Sequence, residues 1–490
     1  MSASQQVNLY GMEIESGLGS PGQNDDMKKG EPANTADADP FGDEETAEIK
    51  YRTMKWWYLC NVACVRYQFR KRPLNLVLSS EVMIAENISL GILSLPSAVA
   101  TLGMAPAAIL ITFLSGLSWY TGYVIGQFKL RYPQVHSMGD AGEILLGRTG
   151  REILGMGQLL FLIFLMASHI LTFSILMNTL TDHGACTIVF AVVGLIISFI
   201  GTIPRTMEKV YWMSITSFIS IFITTLVTMI AMGVQAKGHV QNDASREVSF
   251  YEAFLAVTNI IFAFIAHVAF FGFISETEDP KAFPKSLAML QAVDTVMYLV
   301  TALVIYRFAG PDLASPALSS AGPLMKKVAF GLAIPTVIIA GVVIGHVACK
   351  YVYVRIFRGS AHMHQRNIVG VGSWIGICLI IWVIAWIIAE SIPVFNNILS
   401  LMVVSPQAEI TSETLEFALR ECLQLLFARY ILVAYEQGQY FSTGSKTVLT
   451  VCNAIILGIG CAMTGMGLYV SGRAIHEDSG SNTWACANNA

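Results

Sequence analysis

The chain has 490 residues, of which 54% are hydrophobic and only 13% charged. A soluble protein carries about 25% charged residues, so this composition excludes a soluble globular chain and points to an integral membrane protein. The net charge of −4 is uninformative as a total, because the acids cluster in the first 49 residues, and no nucleic-acid partner is expected.

Residues 1–49 are rich in Gly, Ser, Asp, Glu and Ala without periodicity, which predicts a disordered acidic tail. They hold no apolar run, hence no secretory signal. Lys50, Arg52 and Lys55 beside Trp56 and Trp57 form a basic, aromatic interfacial anchor. It opens a juxtamembrane segment over 50–81, in which Arg66, Arg70, Lys71 and Arg72 can lie on anionic lipid.

Apolar runs of about 20 residues, enough to cross a bilayer, then follow. Spans 1 to 5 are expected at about 82–103, 107–128, 152–180, 187–203 and 211–234, with a short in-plane helix around 141–146. Spans 6 to 9 are expected at about 251–274, 286–309, 325–349 and 369–390, and span 11 at about 447–471. Span 10 is defective: residues 402–421 carry Pro406, Glu409, Glu413, Glu416, Arg420 and Glu421, and only 422–435 is apolar. Basic residues favour the inner loops when the N-terminus is cytoplasmic (Lys129, Arg131, Arg148, Arg151, Arg205, Lys209, Lys281, Lys285, Lys350, Arg355). Eleven spans then put the tail 473–490 outside.

Two spans are interrupted. Span 1 carries Glu86, Asn87, Ser89, Gly91, Ser94 and Pro96 in its middle. Span 6 carries His267 and Gly272, the latter expected to interrupt the helix. Broken helices at matching positions of two halves point to a transporter site between inverted repeats, since irregular backbone at membrane depth survives only along a cavity. The expected repeats cover 82–234 and 251–440, with an extra helix at 447–472.

Glu86-Asn-Ile-Ser-Leu-Gly-Ile-Leu-Ser-Leu-Pro96, Phe262-Ala-Phe-Ile-Ala-His267 and Glu276-Thr-Glu-Asp-Pro-Lys-Ala-Phe-Pro284 resemble the amino acid/auxin permease family, nearest its fungal neutral amino acid permeases of the methyltryptophan-resistance type. The resemblance covers about 81–401 and 437–490. It implies an all-α integral membrane protein of eleven helices with a LeuT-like 5+5 inverted repeat, and secondary, proton-coupled transport of amino acids. It also favours the plasma membrane, with the vacuolar membrane as the alternative. Two segments depart from the family: 58–80 look inserted, and 402–436 replace most of an aromatic, Gly-rich tenth span. Both read as retained or misassigned intron sequence, which sequencing the transcript across the junctions decides.

The expected site follows from helix ends. The positive N-terminus of the outer half of span 1, at Gly91 and Ile92, offers N–H groups to a substrate carboxylate. Carbonyls near Asn87 and near Ala266 to Phe270 face the ammonium, with Ser89 beside them. Phe270 and Phe271 select neutral side chains. Gly91 and Asn87 read either as site residues or as packing. Glu86 reads as a proton relay or as a protonated group bonded between helices. His267 reads as a coupling group or as a neutral imidazole bonded to a carbonyl. Asp294 in span 7 is a further candidate, and Glu276 is placed at an inner gate. Sodium is the rival ion, with Thr336 of span 8 as a ligand.

Nine cysteines are scattered without CxxC or Cys/His spacing, so neither a metal nor another cofactor is expected. There is no HExxH or GxSxG, and His169, His267 and His346 sit singly on different spans, so an enzyme is not expected. A receptor on a transporter scaffold is the remaining alternative. Cys186 and Cys486 both fall outside, where oxidising surroundings permit a disulfide; two free thiols are the other reading. The partners expected are an amino acid and the bilayer.

Overall fold

Backbone crossing hydrocarbon must satisfy its own N–H and C=O groups, and the apolar runs do so as helices. The computed structural model describes residues 83–392, apart from 85–86, 89, 205–209, 237–242, 265, 277–279 and 358–367. Beyond these it describes isolated positions from 447 to 473, and 484–486. Spans 10 and most of 11, Glu86, Ser89, the side chain of Glu276 and the segments 58–80 and 402–436 lie outside the described residues.

The helices are α1 Gly91–Leu102, α2 Met104–Arg131, α3 Met138–Thr181, α4 Thr187–Thr202, α5 Val210–Gln235, α6 Phe250–Phe262, α7 Phe270–Glu276, α8 Phe283–Ala309, α9 Pro323–Phe357 and α10 Ile368–Ser391. Among the described residues seven helical runs are long and apolar enough to span a bilayer, and α1 and α4 are shorter apolar helices. Large side chains such as Ile109, Phe113, Ile200, Ile230 and Val296 remain exposed on their outer faces, as lipid-facing positions do.

The packing falls into two groups. Helices α1, α2, α6 and α8 pack on one another, and so do α3, α4, α9 and α10, while α5 lies against α8 and α9. Spans 1 and 2 thus stand in one group with 6 and 7, and spans 3 and 4 in the other with 8 and 9, the pairing an inverted repeat requires. Buried hydroxyls on these helices return to their own backbone: Thr172 donates to the Ser168 carbonyl (2.7 Å), and Thr224 and Thr228 to the carbonyls one turn back (2.8 Å each).

A short helix does precede span 3, as the sequence led one to expect. Ser137 caps it by accepting from the Asp140 amide (3.1 Å). Gly147, at φ 68°, ψ −153°, then breaks the helix before the long transmembrane part. At the opposite face the α1–α2 corner is strapped by the segment before α6. Met104 and Ala105 amides donate to the Asp243 and Ala244 carbonyls (3.1 and 2.9 Å), the Arg246 amide to Leu102 (3.2 Å) and its guanidinium to Ala100 (2.6 Å). Gly103 turns this corner at φ 91°, where a Cβ would lie 2.7 Å from the Ser245 Cα.

A disulfide joins Cys186, in the α3–α4 turn, to Cys486 across a sequence separation of 300. Trp484 lies edge-on to Trp386 of α10, ring centroids 5.5 Å apart, and its amide donates to the Glu390 carbonyl (3.4 Å). Cross-links that close loops this long stabilise by about 2–4 kcal/mol. Cys486→Ser is therefore expected to lower the thermal midpoint and to expose one new thiol to alkylation. Unchanged melting with no added thiol rules the bond out.

Candidate functional site: two helix breaks that meet

Span 6 opens cleanly. Ser249 and Glu252 form a capping box at the start of α6, each satisfying an amide of the other. The helix then stops at Phe262 without proline or glycine. Ala263 and Phe264 turn through bonds three residues back (3.2 and 3.0 Å), a 3₁₀ turn follows over Ala266–Ala269, and α7 resumes at Phe270. Gly272 is not the interruption expected of it: it lies inside α7, exposed, with open space where a Cβ would stand. The break opens at Ala263 and takes in the Ala266–Ala269 turn, where its carbonyls were expected; what opens the ladder is a tertiary contact rather than a weak residue.

That contact comes from α8. The Tyr298 hydroxyl lies 2.8 Å from the Ala263 carbonyl and 3.0 Å from the Asn87 carbonyl. Both carbonyls belong to breaks, one in span 6 and one in span 1. With a single proton, the hydroxyl is shared between the two.

In span 1, Asn87 and Ile88 are helical, the chain turns at Leu90, and α1 starts at Gly91. The Leu93 amide bonds back only three residues to Leu90 (3.1 Å), and the Ser94 hydroxyl covers the Gly91 carbonyl (3.0 Å). Gly91 is there for space. A Cβ on it would stand 2.8 Å from the Ala263 Cα, so the two breaks touch backbone to backbone.

The Asn87 side chain is 8% exposed and donates to Asp294 Oδ2 (2.5 Å), while Asp294 itself is wholly buried on α8. Asn87 Oδ1 and Asp294 Oδ1 find no hydrogen-bond partner among the described residues. Two orphan acceptors at one buried spot are costly, about 1–3 kcal/mol each and more where a group is charged, and such atoms ask for a donor or a cation.

His267 is half-buried in the 3₁₀ turn, with Nε2 2.8 Å from Thr121 Oγ1 and 3.0 Å from the Ser118 carbonyl of α2. On the same helix pair, Gln291 donates to Ser118 Oγ (2.7 Å) and accepts from Ser115 (3.2 Å), whose hydroxyl also meets Thr295. Hydroxyls and amides thus line the α2–α8 seam beside the span 6 break.

The remaining expected residues fall as follows. Ile92 is fully buried at the start of α1, and Ala266 is half-buried at the break. Phe270 and Phe271 are both fully buried; Phe270 lies edge-on to Phe283 (5.6 Å) and beside His267 (5.0 Å), and Phe271 lies edge-on to Phe128 (6.0 Å). Thr336 is buried on α9 and its hydroxyl bonds Ser217 of α5 (2.9 Å). Tyr298 and Gln291 were not among the expected site residues. The signal for them was present: Gln291, Asp294, Tyr298 and Thr301 fall at i, i+3, i+7 and i+10, a polar stripe down one face of an apolar span.

The arrangement therefore brings backbone groups of both polarities together at two touching breaks, with a buried carboxyl and amide alongside. The backbone resembles the solved structure of MhsT in complex with L-phenylalanine, with a TM-score of 0.51 at 11% identity, over 78% of this chain and 98% of that one. In sequence, the chain is 35% identical over 420 residues to the "N amino acid transport system protein" of Neurospora crassa, covering 83% of this chain and 87% of the relative. It is 32% identical over 329 residues to a "Transmembrane transporter" of Gibberella moniliformis, covering 65% and 69%. The model of the family described as "Transmembrane amino acid transporter protein" matches residues 77–405. With two thirds of its length under that model and its helices broken where such a carrier needs them, the chain belongs to the transmembrane amino acid transporter family.

Proposed function

We propose that this transporter carries neutral amino acids together with protons by alternating access, with its N-terminus cytoplasmic. The observation that carries the reading is the meeting of the two breaks at Gly91 and Ala263 under the shared Tyr298 hydroxyl. Helix α1 points its free N–H groups at this junction and suits a carboxylate. The Asn87 and Ala263 carbonyls, with the orphan amide oxygen of Asn87, suit an ammonium. Such a site holds the part common to all amino acids and leaves the side chain to the surrounding apolar wall.

Titratable groups at both breaks, Glu86 in span 1 and His267 in span 6, favour the proton. The sodium alternative asks for the Thr336 hydroxyl, which Ser217 already engages. The test is uptake of a panel of labelled amino acids into vesicles with imposed pH or sodium gradients. Uptake is expected to rise at least severalfold with an inward proton gradient and to ignore sodium. Sodium-driven uptake, or binding without any uptake, defeats the reading.

A further inference from the structure

We infer that Asp294 is the group that binds the transported proton, and that its protonation admits the substrate carboxylate to the N-terminus of α1. The inference rests on the proton-coupled reading above and names the carboxyl that serves it.

Asp294 is placed as no structural aspartate would be. It is wholly buried midway along a membrane-crossing helix, and its described hydrogen bond is to a neutral amide, that of Asn87. Its second oxygen has no partner among the described residues. Buried carboxylates persist when paired with a cation or bonded at both oxygens; otherwise they take a proton.

Among the described residues no permanent positive charge stands beside Asp294: Lys285 lies more than two turns back along α8 and Lys281 in the turn before that helix. On its own helix the nearest titratable side chain is Tyr298, one turn on, which is committed to the two break carbonyls. Helix α1 has no titratable side chain, and α5 has none from Met213 onward. On α2, Lys129 is held by the Pro133 and Val135 carbonyls at the far end (2.6 and 2.5 Å), and Tyr120, Tyr123 and Arg131 make up the rest. His267 is turned to Thr121 and Ser118.

The coupling has a definite sign. A substrate carboxylate at Gly91 lies one helical turn along the chain from Asn87, whose side chain Asp294 holds. Two carboxylates in a dry site repel strongly, and one then takes a proton. A proton from the outer solution that neutralises Asp294 removes this repulsion, so proton and amino acid bind together. On the inner side the substrate leaves, the proton dissociates to the cytoplasm, and the carboxylate returns. Because Asp294 acts on Asn87 at the end of the inner half of span 1, its charge state bears directly on the break.

The experiment uses the purified full-length protein in weakly buffered detergent, with a pH indicator and a well-transported amino acid. Wild type is expected to take up about one proton per substrate bound at pH values where Asp294 is ionised in the empty protein, and none once the pH is low enough to protonate it beforehand. Asp294→Asn is expected to take up none, while binding the substrate within about tenfold of wild type and exchanging it across vesicles without pH dependence. An Asp294→Asn protein that still takes up a proton on binding overturns the inference. If that variant does not fold, Asp294→Glu decides: the pH midpoint of binding is expected to move up by about 0.4 or more, the ordinary Asp–Glu difference, and an unmoved midpoint overturns it. A wild type that binds substrate with sodium and no proton defeats the coupled-proton reading itself, and with it this assignment.

Discussion

Gly91→Val is expected to cut amino acid uptake by about tenfold or more, with the protein still reaching the membrane. The Cβ alone would sit 2.8 Å from the Ala263 Cα and 3.1 Å from its Cβ. That neighbour is backbone at a helix break and cannot rotate away. Overpacking of this kind costs about 1–3 kcal/mol, which either strains the folded protein or separates the two breaks. Separation removes the Tyr298 hydroxyl from one of its carbonyls and widens the junction where a zwitterion would be gripped. Uptake at matched surface expression, with the thermal midpoint alongside, is the measurement. Wild-type transport by the valine variant would show that the junction is packing and nothing more. Gly372, beside whose missing Cβ lies nothing within 4 Å, is the comparison position: Gly372→Ala is expected to transport normally.

Tyr298→Phe is the second large effect expected, a loss of about tenfold in transport with little loss of packing. The ring stays edge-on to Phe264 at 5.3 Å, so the phenylalanine fills the same volume. What disappears is the hydroxyl shared by the Asn87 and Ala263 carbonyls. Leaving a buried acceptor unpaired costs about 1–3 kcal/mol. Part of that cost is expected in stability and part in the turnover rate, because the two half-spans lose their common tie. Tyr306→Phe is the control: its buried hydroxyl accepts from the Asp243 amide near the strap (3.2 Å), far along α8 from the breaks. Equal transport by the two variants would remove the shared hydroxyl from the mechanism.

The sequence carried the crossings well, because about 20 apolar residues in a row have few other fates. The ends of α2, α4, α5, α8 and α10 fall within three residues of expectation; α9 runs eight residues further, α3 takes in the short helix before it, and α6 stops at Phe262. The in-plane helix before span 3 was visible from its own pattern, and Gly147 marks its end. The break of span 6 was legible at Ala266 to Phe270, and only the part given to Gly272 was misplaced. Gly272 is the weakest helix former in the run, yet propensity yields where Tyr298 draws the Ala263 carbonyl out of the ladder.

The site was half legible for the same reason. Asn87, Gly91 and His267 announce themselves as polar or small residues inside apolar runs. The Asn87–Asp294 pair does not, because its members are 207 residues apart and only the fold sets them side by side. Thr336 is the converse: a hydroxyl after a proline looks available in sequence, and Ser217 from another span has taken it.

The Cys186–Cys486 bond has a bearing on how the end of the chain is routed. Trp484 rests on Trp386 and reaches the Glu390 carbonyl at the close of α10, while two residues later the chain is pinned to the α3–α4 turn. Ser391 and Cys486 therefore emerge on one face of the bilayer. A label placed at the close of α10 is therefore expected to read out the same compartment as one placed in the α3–α4 turn.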